Sequence, residues 1–134
     1  MIAIDTNVLL RLLLRDAPAQ ATAAQHAIEA AERAGDAVLV NDLVLAEAVW
    51  TLSSRYGVDK AGILLTLRSL LDTGALAFEN RSTVQEAVDR FEAAAVDFPD
   101  ALIAAKNLAI GARTTLSFDR AMRQLPGVQW LKTP

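Results

Sequence analysis

The chain has 134 residues, of which 53% are hydrophobic and 22% charged, so we expect one domain with a substantial buried core rather than a disordered chain. Cysteine is absent, which excludes disulfide bonds, thiolate metal sites and cysteine nucleophiles. The formal net charge of −3 argues against a protein that coats nucleic acid through bulk positive charge. The start of the chain lacks the features of a secretory signal, and no apolar run is long enough to span a bilayer. We therefore expect a cytoplasmic protein with no membrane association.

Short β-prone runs alternate with longer helical segments along the chain. The predicted strands are residues 1–5, 37–40, 76–79, 113–117 and 128–131. The predicted helices are residues 8–15, 18–34, 43–56, 63–71, 84–95 and 99–110. This alternation is typical of a parallel sheet with helices on both faces. We predict an α/β fold in which a central parallel β-sheet is flanked by α-helices, as a single domain over residues 1–134.

Acidic residues stand where such a fold collects functional groups. Open parallel sheets bind ligands beyond the carboxyl ends of their strands, near helix N-termini. Asp5 closes the first predicted strand, Asp119 follows the fourth, and Asp100 lies in the first turn of a helix that Pro99 is expected to open. Asn7 and its neighbour at position 6 are small polar residues that can orient a carboxylate or coordinate water.

Glu47 is an acid inside an apolar helical segment. Its neighbours at helical spacing are Leu43, Val44 and Trp50, so we expect it to share a face with core residues. A carboxylate on such a face is costly unless it is paired or bound to a cation. Of the acids considered, Glu47 therefore most needs a metal site to explain it.

If Asp5, Glu47, Asp100 and Asp119 came together they would repel one another, because most of them have no adjacent Lys or Arg. A hard divalent cation such as Mg²⁺ resolves this conflict, since it takes oxygen ligands and keeps positions for a phosphodiester oxygen and an attacking water. Each acid alone also has a structural alternative as a helix cap, a turn residue or a paired surface group. The joint placement favours a metal site.

Four short motifs occur in a fixed order and cover essentially the whole chain. They are IAIDTNVL at residues 2–9, LAE at 45–47, DFPDALIAA at 97–105 and LSFDR at 116–120. Together they resemble the motifs of PIN domains, and in particular those of VapC-type toxins from toxin–antitoxin pairs. By this resemblance, the family's acidic cluster maps onto Asp5, Glu47, Asp100 and Asp119.

The resemblance also implies roles for residues beside the acids. Thr6 and Ser117 map onto supporting hydroxyl groups, and Asp97 is assigned a capping or supporting role. Pro99 departs from the small non-proline residue found in many relatives, but proline is tolerated in a first helical turn. The implied protein is an endoribonuclease that depends on Mg²⁺ or Mn²⁺ and cleaves an RNA substrate. It would form a homodimer and be inhibited by a small cognate antitoxin protein.

Three arginines are candidates for contacts with RNA phosphates. Arg11 and Arg15 are four residues apart and so are expected to share a helix face, and Arg120 directly follows an acid of the cluster. Solvated surface arginines are the alternative. Trp50 and Trp130 can in principle stack on bases, but their apolar neighbours make them core candidates first.

Two other functions stay open at this point. One is a phosphatase of the haloacid dehalogenase type, in which Asp5 would be the nucleophile; the second acid expected two residues later is Asn7 here, which argues against it. The other is a receiver-like, non-catalytic regulatory module that binds a cation without turnover. That module leaves Glu47 unexplained.

Overall fold

Strands and α-helices alternate along the chain in the computed structural model, which describes residues 1–134. The strands are β1 Ile2–Ala3, β2 Val38–Val40, β3 Leu76–Phe78, β4 Thr115–Ser117 and β5 Val128–Trp130. The helices are α1 Thr6–Leu14, α2 Pro18–Arg33, α3 Asp42–Arg55, α4 Lys60–Asp72, α5 Arg81–Ala93 and α6 Phe98–Ile110, with a 3-10 helix at Arg120–Gln124. Every predicted strand and helix is present, so the α/β prediction is confirmed. None of the helices is long and apolar enough to cross a membrane.

The chain forms two compact units, and the first is Met1–Glu79. Its sheet is parallel throughout, in the order β1-β2-β3. In the middle strand, Val38 and Val40 are fully buried, whereas Leu39 on the opposite face is partly accessible. Helix α1 packs against α2 and α3, and α3 also contacts α4. This unit therefore has its own core, built from one face of β2 and the apolar sides of the helices.

Polar caps start three of the helices in this unit. The Oδ1 atoms of Asp5, Asn41 and Asp59 each accept a hydrogen bond from a backbone N–H three residues later, at 2.9–3.0 Å. Asp5 begins α1 two residues after β1, and Asn41 begins α3 directly after β2. The carboxyl ends of these two strands thus lead at once into helix N-termini, which is where parallel sheets expose functional side chains.

The second unit, Asn80–Pro134, is formed by α5, α6 and the pair β4-β5. Helices α5 and α6 pack together, and the rings of Phe91 and Phe98 meet edge to face with centroids 6.1 Å apart. Strands β4 and β5 are parallel and bring Ser117 opposite Trp130. The five predicted strands are therefore hydrogen-bonded as a parallel sheet of three and a separate parallel pair.

Candidate functional site

Asp5 lies just beyond the end of β1 and is the N-cap of α1. Its Oδ1 accepts a hydrogen bond from the backbone N–H of Val8 at 3.0 Å. The side chain is exposed and, with Asn7, Arg11 and Gln20, contributes the charged and amide groups at a cleft of about 690 Å³ in the first unit. Thr6 is half-buried as the first residue of α1. Asp5 therefore does cap a helix, which was the structural alternative to a metal site. Its Oδ2 makes no hydrogen bond, however, and no basic side chain pairs with its carboxylate.

Glu47 is exposed, which contradicts the expectation that it shares a face with the core. Its neighbours Leu43 and Trp50 are 72% and 58% exposed. The core side of α3 is formed instead by Val44, Leu45, Ala48, Val49 and Leu52. The apolar residues of α3 lie on nearly all sides of the helix, so helical spacing alone does not show which side is buried. Glu47 is accessible to a ligand, but burial no longer requires a metal to explain it.

The sequence analysis missed one buried acid at the start of the same helix. Asp42 is only 6% exposed, and its backbone N–H donates to Oε1 of Glu79 at 2.9 Å. This contact links the first turn of α3 to the residue that follows β3. Its position in the sequence could have indicated this acid, because Asp42 comes directly after the N-cap Asn41 at the end of a strand.

In the second unit, Asp97 is the N-cap of α6 but makes no capping hydrogen bond with its side chain. Helix α6 begins at Phe98, so Pro99 is its second residue rather than its first. A cap side chain normally accepts from the N–H of the second or third helical residue; Pro99 has no N–H, and Asp97 does not bond to the N–H of Asp100, the third residue. The Asp97 carboxylate is therefore exposed at a helix start without the usual partner.

Asp100 is a half-buried carboxylate in the first turn of α6. Burial raises its pKa above the ordinary value, and the negative charges of Asp97 and Asp119 raise it further. No Lys or Arg forms a salt bridge with any of these three acids. Asp119, although distant in sequence, therefore lies close enough to Asp100 for its charge to act on that carboxylate, and no salt bridge offsets the charge of the three acids.

Asp119 is fixed at the end of β4 by two hydrogen bonds. Its Oδ1 accepts from the backbone N–H of Ala121 at 2.9 Å, which caps the 3-10 helix, and its own N–H donates to Ser117 Oγ at 3.0 Å. The Ser117 hydroxyl in turn lies 3.3 Å from Met122 Sδ, to which it donates. Ser117 was predicted as a supporting hydroxyl, and its observed contact is with the backbone of Asp119.

The chemistry of these acids fits a hard divalent cation, since all the donor atoms are carboxylate oxygens and none is neutralised by a basic partner. No three or more His, Cys, Asp or Glu side chains are grouped closely enough to hold a metal ion. The structure therefore shows repulsion between Asp100 and its acidic neighbours but no complete set of ligands. The joint assignment of Asp5, Glu47, Asp100 and Asp119 to one metal site stays a prediction.

The first two arginines predicted to contact RNA have partners within the chain. The guanidinium of Arg11 lies 2.6 Å from Asp16, and this hydrogen bond raises the pKa of Arg11 and lowers that of Asp16. Arg15 donates to Gln25 Oε1 at 3.1 Å. The predicted shared helix face is wrong, because α1 ends at Leu14 and Arg15 takes the left-handed conformation, with φ of 53°.

The third arginine, Arg120, lies beside an aromatic ring. Its Cζ is 5.7 Å from the centroid of Trp130, and Cζ of Arg123 is 5.1 Å from the same centroid. Trp130 is half-buried, whereas Trp50 is exposed, so the expectation of a core position is wrong for Trp50. Arg123 was missed by the sequence analysis, although its spacing of three residues from Arg120 was a visible signal.

The chain was compared with known protein families. The family described as PIN domain matches residues 2–128, a span that includes all four predicted acids. The comparison with curated proteins found no match.

Proposed function

Because this chain belongs to the PIN domain family, whose members are in general metal-dependent nucleases, we propose that it is an endoribonuclease that uses Mg²⁺ or Mn²⁺ to hydrolyse RNA. The observation that carries the proposal is the uncompensated charge around Asp100. Burial of its carboxylate raises its pKa, the charges of Asp97 and Asp119 raise it further, and no basic residue pairs with the three acids. A divalent cation bound to these acids would offset the repulsion between their charges. A role as a helix cap or a turn residue would leave that repulsion in place.

The proposed ligands and catalytic groups are Asp5, Glu47, Asp100 and Asp119. A bound ion would polarise the scissile phosphate and promote ionisation of a water molecule. The chain's own contribution is to hold two of these carboxyl groups in fixed positions. Oδ1 of Asp5 is held by the N-terminus of α1, and Asp119 is held by the Ala121 N–H and the Ser117 hydroxyl.

The biological role that we propose is the toxin of a toxin–antitoxin pair, acting as a homodimer that a small antitoxin inhibits. The four motifs that resemble VapC-type toxins support this role. The reading frame next to the gene tests this role. We expect a short upstream gene that encodes a DNA-binding protein, and we expect that protein to co-purify with this chain.

The phosphatase alternative is not favoured, since Asn7 stands where its second acid is required. The cation-binding regulatory module predicts metal binding without cleavage.

Cleavage of single-stranded RNA by the purified protein tests the nuclease proposal. We expect cleavage with Mg²⁺ or Mn²⁺, none with excess chelator, and restoration when the ion is returned. The variants Asp5→Ala and Asp100→Ala are expected to lose cleavage while keeping the circular dichroism of the parent chain. Cleavage retained in both variants, or unaffected by chelator, overturns the proposal. A covalent aspartyl phosphate on Asp5 would instead support the phosphatase.

A further inference from the structure

Two arginines of the second unit lie over one aromatic ring. Arg120 begins the 3-10 helix and Arg123 is in its last turn, so their spacing of three residues brings both towards the same side of this short helix. Their Cζ atoms are 5.7 and 5.1 Å from the centroid of Trp130. Attraction between each cation and the ring reduces the number of positions that these long side chains sample.

The ring that holds them is itself fixed. Trp130 lies in β5 opposite Ser117 of β4, and its Nε1–H donates to the backbone carbonyl of Phe118 at 3.1 Å. The indole is therefore anchored by the strand pairing and by one hydrogen bond. An anchored ring that both arginines contact gives them a defined placement that a surface arginine ordinarily lacks.

The charge of this pair is not compensated within the chain. Arg120 and Arg123 are exposed, and neither guanidinium forms a salt bridge or a hydrogen bond with the rest of the protein. A guanidinium that lies over a ring does not need its N–H groups for that contact. These N–H donors therefore remain available to hydrogen-bond a ligand. Two neighbouring cations repel each other, and an anion bound to both would relieve the repulsion. The chemistry fits phosphate, which guanidinium groups bind through paired N–H donors.

We propose that Arg120 and Arg123, positioned by Trp130, bind backbone phosphates of the RNA strand beside the bond that is cleaved. This inference rests on the nuclease activity proposed above. Arg120 is the residue after Asp119, and the proposed reaction requires the substrate to bring a phosphodiester to Asp119. A strand that reaches this acid therefore passes next to the arginines. Phosphate contacts of this kind fix the position of a strand without reading its sequence.

Single substitutions of the arginines test the phosphate contact. Arg120→Ala and Arg123→Ala are each expected to raise the KM for single-stranded RNA about tenfold, with kcat changed far less. The dependence of log(kcat/KM) on log salt concentration should become shallower by about 0.7 for each phosphate that the variant no longer neutralises. Arg113→Ala is the matched control, because it removes the same charge from an exposed position in the same unit. Its KM and salt dependence should equal those of the parent chain.

Substitutions of the ring test its positioning role. Trp130→Leu and Trp130→Phe both remove the hydrogen bond to the Phe118 carbonyl, but only Phe keeps an aromatic face. We expect Trp130→Leu to raise KM as the arginine variants do, although both charges remain, and Trp130→Phe to restore most of the loss. Equal KM values in the two variants would show that the ring does not position the arginines.

The outcomes separate this inference from the proposed function. If the parent protein cleaves no RNA with Mg²⁺ or Mn²⁺, the proposed function fails and this inference fails with it. If the parent protein cleaves RNA while both arginine variants keep its KM and salt dependence, only this inference is overturned. It is overturned in the same way if the variants lose binding to an acidic protein partner but keep the parent KM for RNA, since the pair would then be a protein-binding site.

Discussion

The backbone N–H of Asp119 donates a hydrogen bond to the hydroxyl of Ser117 at 3.0 Å. This contact fixes the turn in which the Asp119 carboxylate also caps the 3-10 helix. We predict that Ser117→Ala lowers the free energy of unfolding by about 1 kcal/mol, mainly through loss of the bond to the Asp119 N–H, because the Met122 sulfur that the hydroxyl also contacts is a weak acceptor. Groups that orient metal ligands commonly affect activity more than stability, so we expect kcat/KM for RNA to fall at least about tenfold. Urea unfolding and RNA cleavage rates measure the two effects. Ser117→Thr keeps the hydroxyl and should retain most activity, and unchanged cleavage by Ser117→Ala would show that this orientation is unimportant.

The raised pKa of Asp100 makes folding stability depend on pH. Since burial and the charges of Asp97 and Asp119 raise this pKa above 3.8, the folded chain holds the Asp100 proton more tightly than the unfolded chain does. Stability from this group is present below about pH 3.8 and is lost as the pH rises through the folded-state pKa. We predict that Asp100→Asn, which cannot ionise, increases the free energy of unfolding at neutral pH but not below about pH 3.8. Urea unfolding across this range in the presence of chelator measures the difference. A difference that does not vary with pH would contradict the prediction.

Asp5 combines a structural and a proposed catalytic role, and two substitutions separate them. Its Oδ1 caps α1 through the N–H of Val8, and asparagine is an equally good cap. Asp5→Asn should therefore keep the parent stability but lower kcat more than about 100-fold, because it removes the charge that a metal ligand needs. Asp5→Ala should lose the same activity and about 1 kcal/mol of stability as well. Thermal unfolding and cleavage rates distinguish the variants. Normal activity in Asp5→Asn would reduce Asp5 to a helix cap.

Much of the fold could be predicted because its signals are local. Residues 2–5 show this, since a short apolar run followed by a capping aspartate is both a strand end and a helix start. The same reasoning placed Asp100 in a first helical turn and Asp119 after β4, and the structure confirms both positions. The exposed side of α3 could not be predicted, because Leu43 and Trp50 are as apolar as the buried residues between them.

The ring contacts of the arginines depend on an interaction that local patterns do not encode. Trp130 reaches Arg120 and Arg123 because β5 pairs in parallel with β4, with Ser117 opposite Trp130. The register of such a pair is set by packing between segments that are distant in sequence. The left-handed conformation of Arg15 was likewise not visible, since glycine is the residue that usually indicates it. The sequence thus indicated which residues carry charge but not which of them meet.

Glu47 tests whether an exposed acid can still be part of the site. Because its side chain is exposed and makes no ion pair, Glu47→Gln should change the free energy of unfolding by no more than about 0.5 kcal/mol. If Glu47 is a metal ligand, the same variant should lower kcat/KM more than about tenfold and raise the Mg²⁺ concentration needed for half-maximal activity. Glu32→Gln is the control, because Glu32 is an exposed acid of α2 outside the four motifs. If both variants keep full activity, Glu47 has no place in the site.

Gly127 precedes β5 and allows a prediction about the stability of the strand pair that carries Trp130. Its φ is +74°, and its carbonyl accepts the N–H of Thr115 at 2.7 Å. A Cβ at this position would approach Leu108 Cδ2 to 2.7 Å, whereas Gly35, with φ of +75°, has nothing within 4 Å of the equivalent atom.

Gly35→Ala should therefore show the cost of the left-handed conformation alone, about 1–2 kcal/mol. Gly127→Ala should show that cost plus a further loss of less than about 1 kcal/mol, because Leu108 is 42% exposed and its side chain can turn towards solvent. Adding Leu108→Ala to Gly127→Ala relieves the clash, so the cost of the glycine substitution in this background should equal that of Gly35→Ala. Urea unfolding of the parent, Gly35→Ala, Gly127→Ala, Leu108→Ala and the double variant measures these differences. Equal costs in both backgrounds, and for both glycines, would show that Leu108 adjusts without penalty and that only the backbone conformation of Gly127 matters.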